Sequence, residues 1–282
     1  MKQGDVLPER QPDRRDLPSN EALISIKGVD KIFVSERGHR VHALAKTWLD
    51  VSEKDFICIV GPSGCGKSTL LRIIAGLEQP TSGQVFYRGA IQNRPHSEIG
   101  VVFQQYSLLP WRTVEQNIFL GPEIGRKSVR EKKEIVDYYL ELMNMTQFRH
   151  SFPYELSGGM QQRVAIARAL ANDPHVLLMD EPFGALDAYT RIIMQRELLR
   201  IWENNVKTVL FVTHSVDEAI YLADKIVVMS ARPGEIRDII NVDMPRPRTR
   251  SNPRYGELSE LILDMLEKET YGQLENKEYF SD

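Results

Sequence analysis

The chain of 282 residues is predicted to take an α/β fold: a parallel-sheet core, an N-terminal antiparallel β section and an inserted helical subdomain. Three observations predict it. Apolar runs of strand length recur at Phe56-Ile57-Cys58-Ile59-Val60, Val176-Leu177-Leu178-Met179, Thr208-Val209-Leu210-Phe211-Val212 and Ile226-Val227-Val228-Met229, as expected of strands buried on both faces. Residues 113–152 have helical rather than alternating periodicity. A glycine-rich loop, Gly61-Pro62-Ser63-Gly64-Cys65-Gly66-Lys67-Ser68, joins the first apolar run to a helix beginning at Thr69 and closing on Gly76.

In chain order, residues 1–20 are charged and carry three prolines, which reads as a loosely attached tail and not a secretory signal. Strands are expected at residues 23–26, 31–34 and 41–51, with a turn at Gly38. Residues 83–87 and 99–103 follow as strands, the second ending at Gln104-Gln105. Thr113 is placed to cap a helix through Leu120, and residues 129–145 form an amphipathic helix with many exposed charges. Ser157 caps the next helix, and the turn Gly184-Ala185-Leu186-Asp187 precedes one that runs to about Asn204. Beyond Ser230 the character changes. Ala231-Arg232-Pro233-Gly234 is a turn, Asp243-Met244-Pro245-Arg246-Pro247-Arg248 reads as a solvated basic connector, and residues 258–266 read as a short amphipathic helix.

The Gly-x4-Gly-Lys-Ser spacing is that of the phosphate-binding loop of nucleotide hydrolases, and strand, loop and helix occur in the order the motif needs. Glycines let backbone N–H groups turn inward and approach phosphate oxygens closely. The helix N-terminus adds unpaired donors and a favourable dipole. Lys67 has the reach for the β- and γ-phosphates, and the Ser68 hydroxyl can ligate Mg²⁺. Ser157-Gly158-Gly159 opens a second helix with sterically open N–H groups, either an ordinary cap or a second anion site. Asp180 and Glu181 end an apolar strand, where parallel sheets bind ligands, and adjacent strand side chains diverge. One acid could then serve Mg²⁺ while the other faces water. His214 ends the next strand, within range of a γ-phosphate, and Phe33 is either core or a platform for an adenine ring.

Composition narrows the classes. A hydrophobic content of 42% and a charged content of 27% describe an ordinary globular chain. A net charge of −3 argues against nucleic acid as the main partner. The two cysteines, Cys58 and Cys65, suggest neither a disulfide framework nor a zinc site. No apolar run approaches a membrane span, so a cytoplasmic location is expected and any membrane role passes through a partner.

Taken together, these residues resemble the ATP-binding subunit of ABC transporters, a P-loop NTPase family. The stretch Leu156-Ser157-Gly158-Gly159-Met160 is similar to that family's signature motif and decides the resemblance, which covers residues 21–248. Residues 1–20 are then the tail, 113–172 the helical subdomain and 249–282 a short C-terminal helical extension. Gln104-Gln105, Leu108-Leu109-Pro110-Trp111, Gly184-Ala185-Leu186-Asp187, Ser230-Ala231-Arg232-Pro233-Gly234 and the basic segment resemble the nitrate, sulfonate and taurine importer branch.

The resemblance implies a division of labour. Phe33 stacks on adenine, and Gly61, Pro62, Ser63, Gly64, Cys65, Gly66, Lys67, Ser68 and Thr69 hold the phosphates of ATP. Ser68 and Gln104 ligate Mg²⁺ with Asp180 in support, Glu181 is the general base, and His214 contacts the γ-phosphate. Ser157, Gly158 and Gly159 bind the nucleotide held by a second copy in a homodimer, with Asp187 at the same interface. It further implies ATP hydrolysis coupled to uptake of a small solute, an anion such as nitrate, sulfonate or taurine, on the cytoplasmic face of the membrane, through a permease and indirectly an extracytoplasmic solute-binding protein. The alternative is a soluble ABC ATPase acting on nucleic acid or ribosomes. Met160 stands where the family often has Gln, and Phe33 where Tyr is common.

Overall fold

The structure is a computed structural model that describes residues 22–204 and 207–278. The expected tail at residues 1–20 lies outside the described residues. Two sheets sandwich the first helix. One is antiparallel and four-stranded, in the order β2 (Arg40–Val51), β1 (Ile24–Val34), β4 (Ser82–Tyr87), β5 (Ala90–Ile91). The other has six strands in the order β10 (Ile236–Asn241), β9 (Lys225–Met229), β3 (Phe56–Val60), β8 (Thr208–Val212), β7 (Val176–Asp180), β6 (Ile99–Val102). It is parallel from β9 to β6, and β10 closes one edge antiparallel to β9.

The period-two alternation of each buried strand divides the core. Ile57 and Ile59 of β3 face α1 (Lys67–Ile74), whose Leu70, Leu71, Ile73 and Ile74 fill the space toward the antiparallel sheet. Phe56, Cys58 and Val60 face the opposite layer, with Val164 and Ile166 of α5 (Gly158–Leu170) and Ala219 and Ile220 of α7 (Val216–Leu222). Between β6 and α5 lie three further α-helices, α2 (Val114–Ile118), α3 (Leu120–Ile124) and α4 (Val129–Leu142), and two short 3-10 turns. Thr113 and Ser128 each accept from the backbone N–H three residues on, and Gln116 and Glu131 reach back, forming two capping boxes. Because β3, β6, β7 and β8 are parallel neighbours, the segments leaving their C-terminal ends emerge along one edge. That edge carries the site.

The structure differs from expectation in four ways. Residues 23–26 and 31–34 belong to one strand, β1, whose pairing with β2 is interrupted by register shifts where a break was expected. The strand β10 was unforeseen, and the last helix, α8 (Pro253–Glu278), is longer than the expected 258–266. The basic segment is no solvated connector. Arg248 is only 5% exposed, and its guanidinium donates to the carbonyls of Ile220, Tyr221 and Ala223 at 2.8, 3.3 and 2.6 Å. It also reaches Met244 at 3.1 Å and Val242 at 3.4 Å. The end of α7 leaves carbonyls without helical partners, and a cation satisfies both their lone pairs and the helix dipole. Burial lowers the Arg248 pKa to about 10, a cost that the five carbonyls offset. Arg246 stacks over Trp202, 4.6 Å from the ring centroid, and donates to Asp224.

Arg248→Ala is expected to destabilise the chain by about 3 kcal/mol, since several buried carbonyls lose their donors together. Urea denaturation of the two proteins measures it. A change below about 0.5 kcal/mol would mean that water replaces the guanidinium at no cost.

Candidate functional site

The loop between β3 and α1 is shaped by its glycines. Gly64 and Gly66 lie in the left-handed region at φ 76° and 94°, where a side chain is strained. The surroundings exclude one as well. A Cβ on Gly66 would stand 2.6 Å from the carbonyl oxygen of Ala43 in β2, and one on Gly64 would run into the Arg232 guanidinium. Arg232 Nε donates to the Gly64 carbonyl at 3.0 Å. Gly234, two residues on, is packed so closely on the Cys65 carbonyl that it too has no room for a Cβ. Its N–H donates to Ala43 and its carbonyl accepts from Ala45, at 3.0 and 2.9 Å. The loop is therefore held from outside by β2 and by residues 230–234. In the sequence, Arg232 stands in a turn and in a stretch resembling the importer branch, with no motif to tie it to the phosphate loop. Its position just past the C-terminal end of a parallel strand was the available signal.

Inside the loop, Lys67 is 4% exposed, and its Nζ donates to the carbonyls of Gly61 and Pro62 at 2.8 and 3.0 Å. Ser68 Oγ donates to Asp180 Oδ1 at 2.8 Å, across from β7. Burial pushes the Asp180 carboxyl up, the Ser68 hydrogen bond opposes this, and Glu181 pushes it further up. A cation at this point would relieve that cost. Two hard oxygen donors side by side suit Mg²⁺, which takes few protein ligands and completes its shell with phosphate and water. The described residues contain no cluster of three or more His, Cys, Asp or Glu that could hold a metal ion. Gln104 is exposed in the segment leaving β6, the strand beside β7. Cys65 is buried, and burial pushes its thiol up against the lowering influence of Lys67, the environment of an unreactive loop residue.

Asp180 and Glu181 diverge by a different route from the expected strand pleat. Asp180 is the last residue of β7, whereas Glu181 has left the strand and takes φ 42°. That turn brings Glu181 Oε2 within 3.0 Å of His214 Nδ1, beyond the end of β8. A carboxylate and an imidazole in contact, at the same edge as the loop, make a pair able to polarise water and hold a phosphoryl oxygen.

The remaining residues stand apart from this group. Phe33 is 40% exposed near the end of β1, with Lys31 Nζ 4.8 Å from its ring centroid. Ser157 caps α5, accepting from the Met160 N–H, and Ser157 and Gly158 are exposed. Among the described residues no hydrogen bond joins Ser157-Gly158-Gly159 to the loop at 61–69. Asp187 caps α6 (Ala188–Asn204), its Oδ1 accepting from the N–H groups of Tyr189 and Thr190 at 3.1 and 3.0 Å. The arrangement supplies one phosphate loop with its acids and, elsewhere on the surface, a second open helix start.

A sequence profile of the ABC transporter family matches residues 44–184, from β2 through the loop, the Ser157 helix and both acids. An ABC transporter ATP-binding protein of Methanocaldococcus jannaschii, itself uncharacterized, is 51% identical over 89% of this chain and 94% of its own length. The chain belongs to the ABC transporter family. Among its relatives in the family, the aliphatic sulfonates import ATP-binding protein SsuB of Bacillus cereus is 45% identical, over 87% of this chain and 96% of that one. The fold agrees. An ATP-binding cassette solved as a dimer in a post-hydrolysis state with ADP and Pi superposes with a TM-score of 0.70 at 33% identity, covering 79% of this chain and all of that one. This ABC protein is accordingly an ATPase, with ATP as its substrate. No helix among the described residues is long and apolar enough to cross a membrane.

Proposed function

We propose that the chain is the ATP-hydrolysing subunit of an importer that takes up an organic sulfonate or a related small anion through a separate membrane permease. The observation that carries this reading is the Ser157-Gly158-Gly159 helix start, with Ser157 and Gly158 exposed and, among the described residues, no hydrogen bond to the complete phosphate loop on the same chain. Two such chains, head to tail, give each nucleotide a phosphate loop from one copy and a helix N-terminus from the other. The dimeric cassette among the structural relatives and the sulfonate importer among the sequence relatives support it.

In this reading Phe33 carries the adenine, and Gly61 through Thr69 hold the phosphates. Lys67 neutralises the β- and γ-phosphates, releasing its two loop carbonyls. Ser68, Gln104 and Asp180 would hold Mg²⁺, which would supply neutralisation of phosphate charge. Glu181 polarises the attacking water, while His214, already beside it, holds a γ-phosphate oxygen. Asp187 faces the second copy. ATP then joins the two copies and hydrolysis lets them part, so that chemistry becomes motion. Trp111 is 70% exposed on the segment that Asn117 fastens, its side chain bonded to the backbone of Leu109, Arg112 and Thr113. An exposed aromatic on a rigid segment suits a docking surface for the permease.

The test is purification from native membranes in mild detergent. Recovery with a stoichiometric hydrophobic permease is expected, and Trp111→Ala should reduce that recovery about tenfold or more without changing ATPase activity of the isolated subunit. Recovery from the soluble fraction alone, or with ribosomes or nucleic acid, would overturn the importer reading in favour of a non-transport ABC ATPase.

A further inference from the structure

Glu218 is a buried carboxylate that the reaction as described leaves without a task. It is 4% exposed, on the first turn of α7, four residues beyond His214. Burial pushes its pKa up, and a carboxylate so placed must be matched by donors to be tolerated. Its donors come from separate elements. Thr213, immediately before His214, donates its hydroxyl to Glu218 Oε2 at 2.5 Å, and the Thr213 oxygen in turn accepts from the Ser215 N–H at 3.0 Å. His214 is thus bracketed by residues that Glu218 holds.

On the other side stands Arg191 of α6, its Nε 3.6 Å from Glu218 Oε1. Arg191 lies one helical turn beyond Asp187 and is fastened to that turn twice. Its N–H bonds the Asp187 carbonyl at 2.9 Å, and Nη2 donates to the Leu186 carbonyl at 3.0 Å. The Nε itself is buried with no hydrogen bond closer than this ion pair. The Gln195 amide of α6 also favours the charged form of this carboxylate. The oxygen of that amide accepts from Arg250 Nη2 at 3.1 Å. Arg250 grips both oxygens of Asp217 at 2.6 Å, and Tyr255 of α8 donates to Asp217 at 2.7 Å. One buried group therefore joins the strand end bearing His214 to the turn bearing Asp187, and the C-terminal helix braces the helix on which it sits.

We propose that Glu218 and Arg191 are positioning residues for hydrolysis, a pair that sets His214 and the Asp187 turn in register, so that loading of a second copy's nucleotide face is felt at His214. This rests on the roles given above to His214 and Asp187. Neither member of the pair touches substrate. Their effect runs through the two loops they join, which places it on turnover and on cooperation between sites and leaves ATP binding to the phosphate loop.

The experiment is steady-state ATPase activity of the full chain against ATP concentration, for the parent, Glu218→Gln, Arg191→Met, the double variant and Arg191→Lys. Thermal unfolding of each verifies that it is folded. The single variants are expected to lose about tenfold in kcat with KM within about twofold, and the Hill coefficient should fall toward one. The double variant should be no worse than the poorer single, because the two act as a unit, and Arg191→Lys should recover part of the loss. Parent-like kcat and cooperativity in either single variant would overturn the proposal. So would losses that multiply in the double variant, or that fall on KM and melting temperature alone. Should Glu218→Gln not fold, the comparison of Arg191→Met with Arg191→Lys decides by the same criteria. A parent whose hydrolysis is indifferent to Glu181→Gln would instead overturn the site assignment, and the inference with it.

Discussion

Glu181→Gln is expected to bind ATP as the parent does and to hydrolyse it about 10²- to 10⁴-fold more slowly, the contribution typical of a positioned general base. The amide keeps the size of the side chain and a hydrogen-bonding partner for His214, whose Nδ1 lies 3.0 Å from Glu181 Oε2. It removes the negative charge and the proton acceptor. Loop, cap and strand ends are untouched, so the nucleotide should be held and not consumed. Size-exclusion chromatography with ATP should then show a persistent dimer, where the parent shows one only transiently. Single-turnover hydrolysis at the parent rate would remove Glu181 from the role of base.

Lys67→Ala should act one step earlier. The ammonium is buried within the loop and held by the Gly61 and Pro62 carbonyls, so it stands ready to turn toward phosphate. Removing a charge-assisted hydrogen bond of this kind costs about 2–3 kcal/mol, or roughly 30- to 150-fold in Kd for ATP. Calorimetry or a fluorescent ATP analogue measures the loss directly. The variant also leaves two loop carbonyls without their donor, so its melting temperature must be compared with the parent's. ATP bound at full strength by the folded variant would contradict the assignment of the loop.

Much of the site was legible because its chemistry is local in the chain. Gly61 to Ser68 announce a phosphate loop by spacing alone, and Thr113 and Ser157 cap helices through bonds that span three residues. The buried strands declared themselves by unbroken apolar runs bounded by acids or a histidine. What escaped was set by distant neighbours. Arg248 reads as one charge among several until α7 ends beside it, 25 residues earlier in the chain, with carbonyls to satisfy. Strand β10 is an edge strand with mostly exposed side chains, so its residues lack the apolar run that marks the others. Glu218 and Arg191 are 27 positions apart, on two helices with no shared periodicity. No local pattern pairs them, and only the packing of α6 against α7 does.

The enclosure of the phosphate loop has a consequence for how the molecule spends ATP. With Ala43 beneath Gly66, Arg232 against Gly64 and Gly234 pressed on Cys65, the cradle is shaped by protein contacts in which no nucleotide takes part. Binding need not pay to order it, which is the advantage of a preorganised receptor. The same rigidity disqualifies the cradle as a moving part. In the proposed dimer, any motion that ATP drives must therefore be taken up outside the cradle, between it and the second copy.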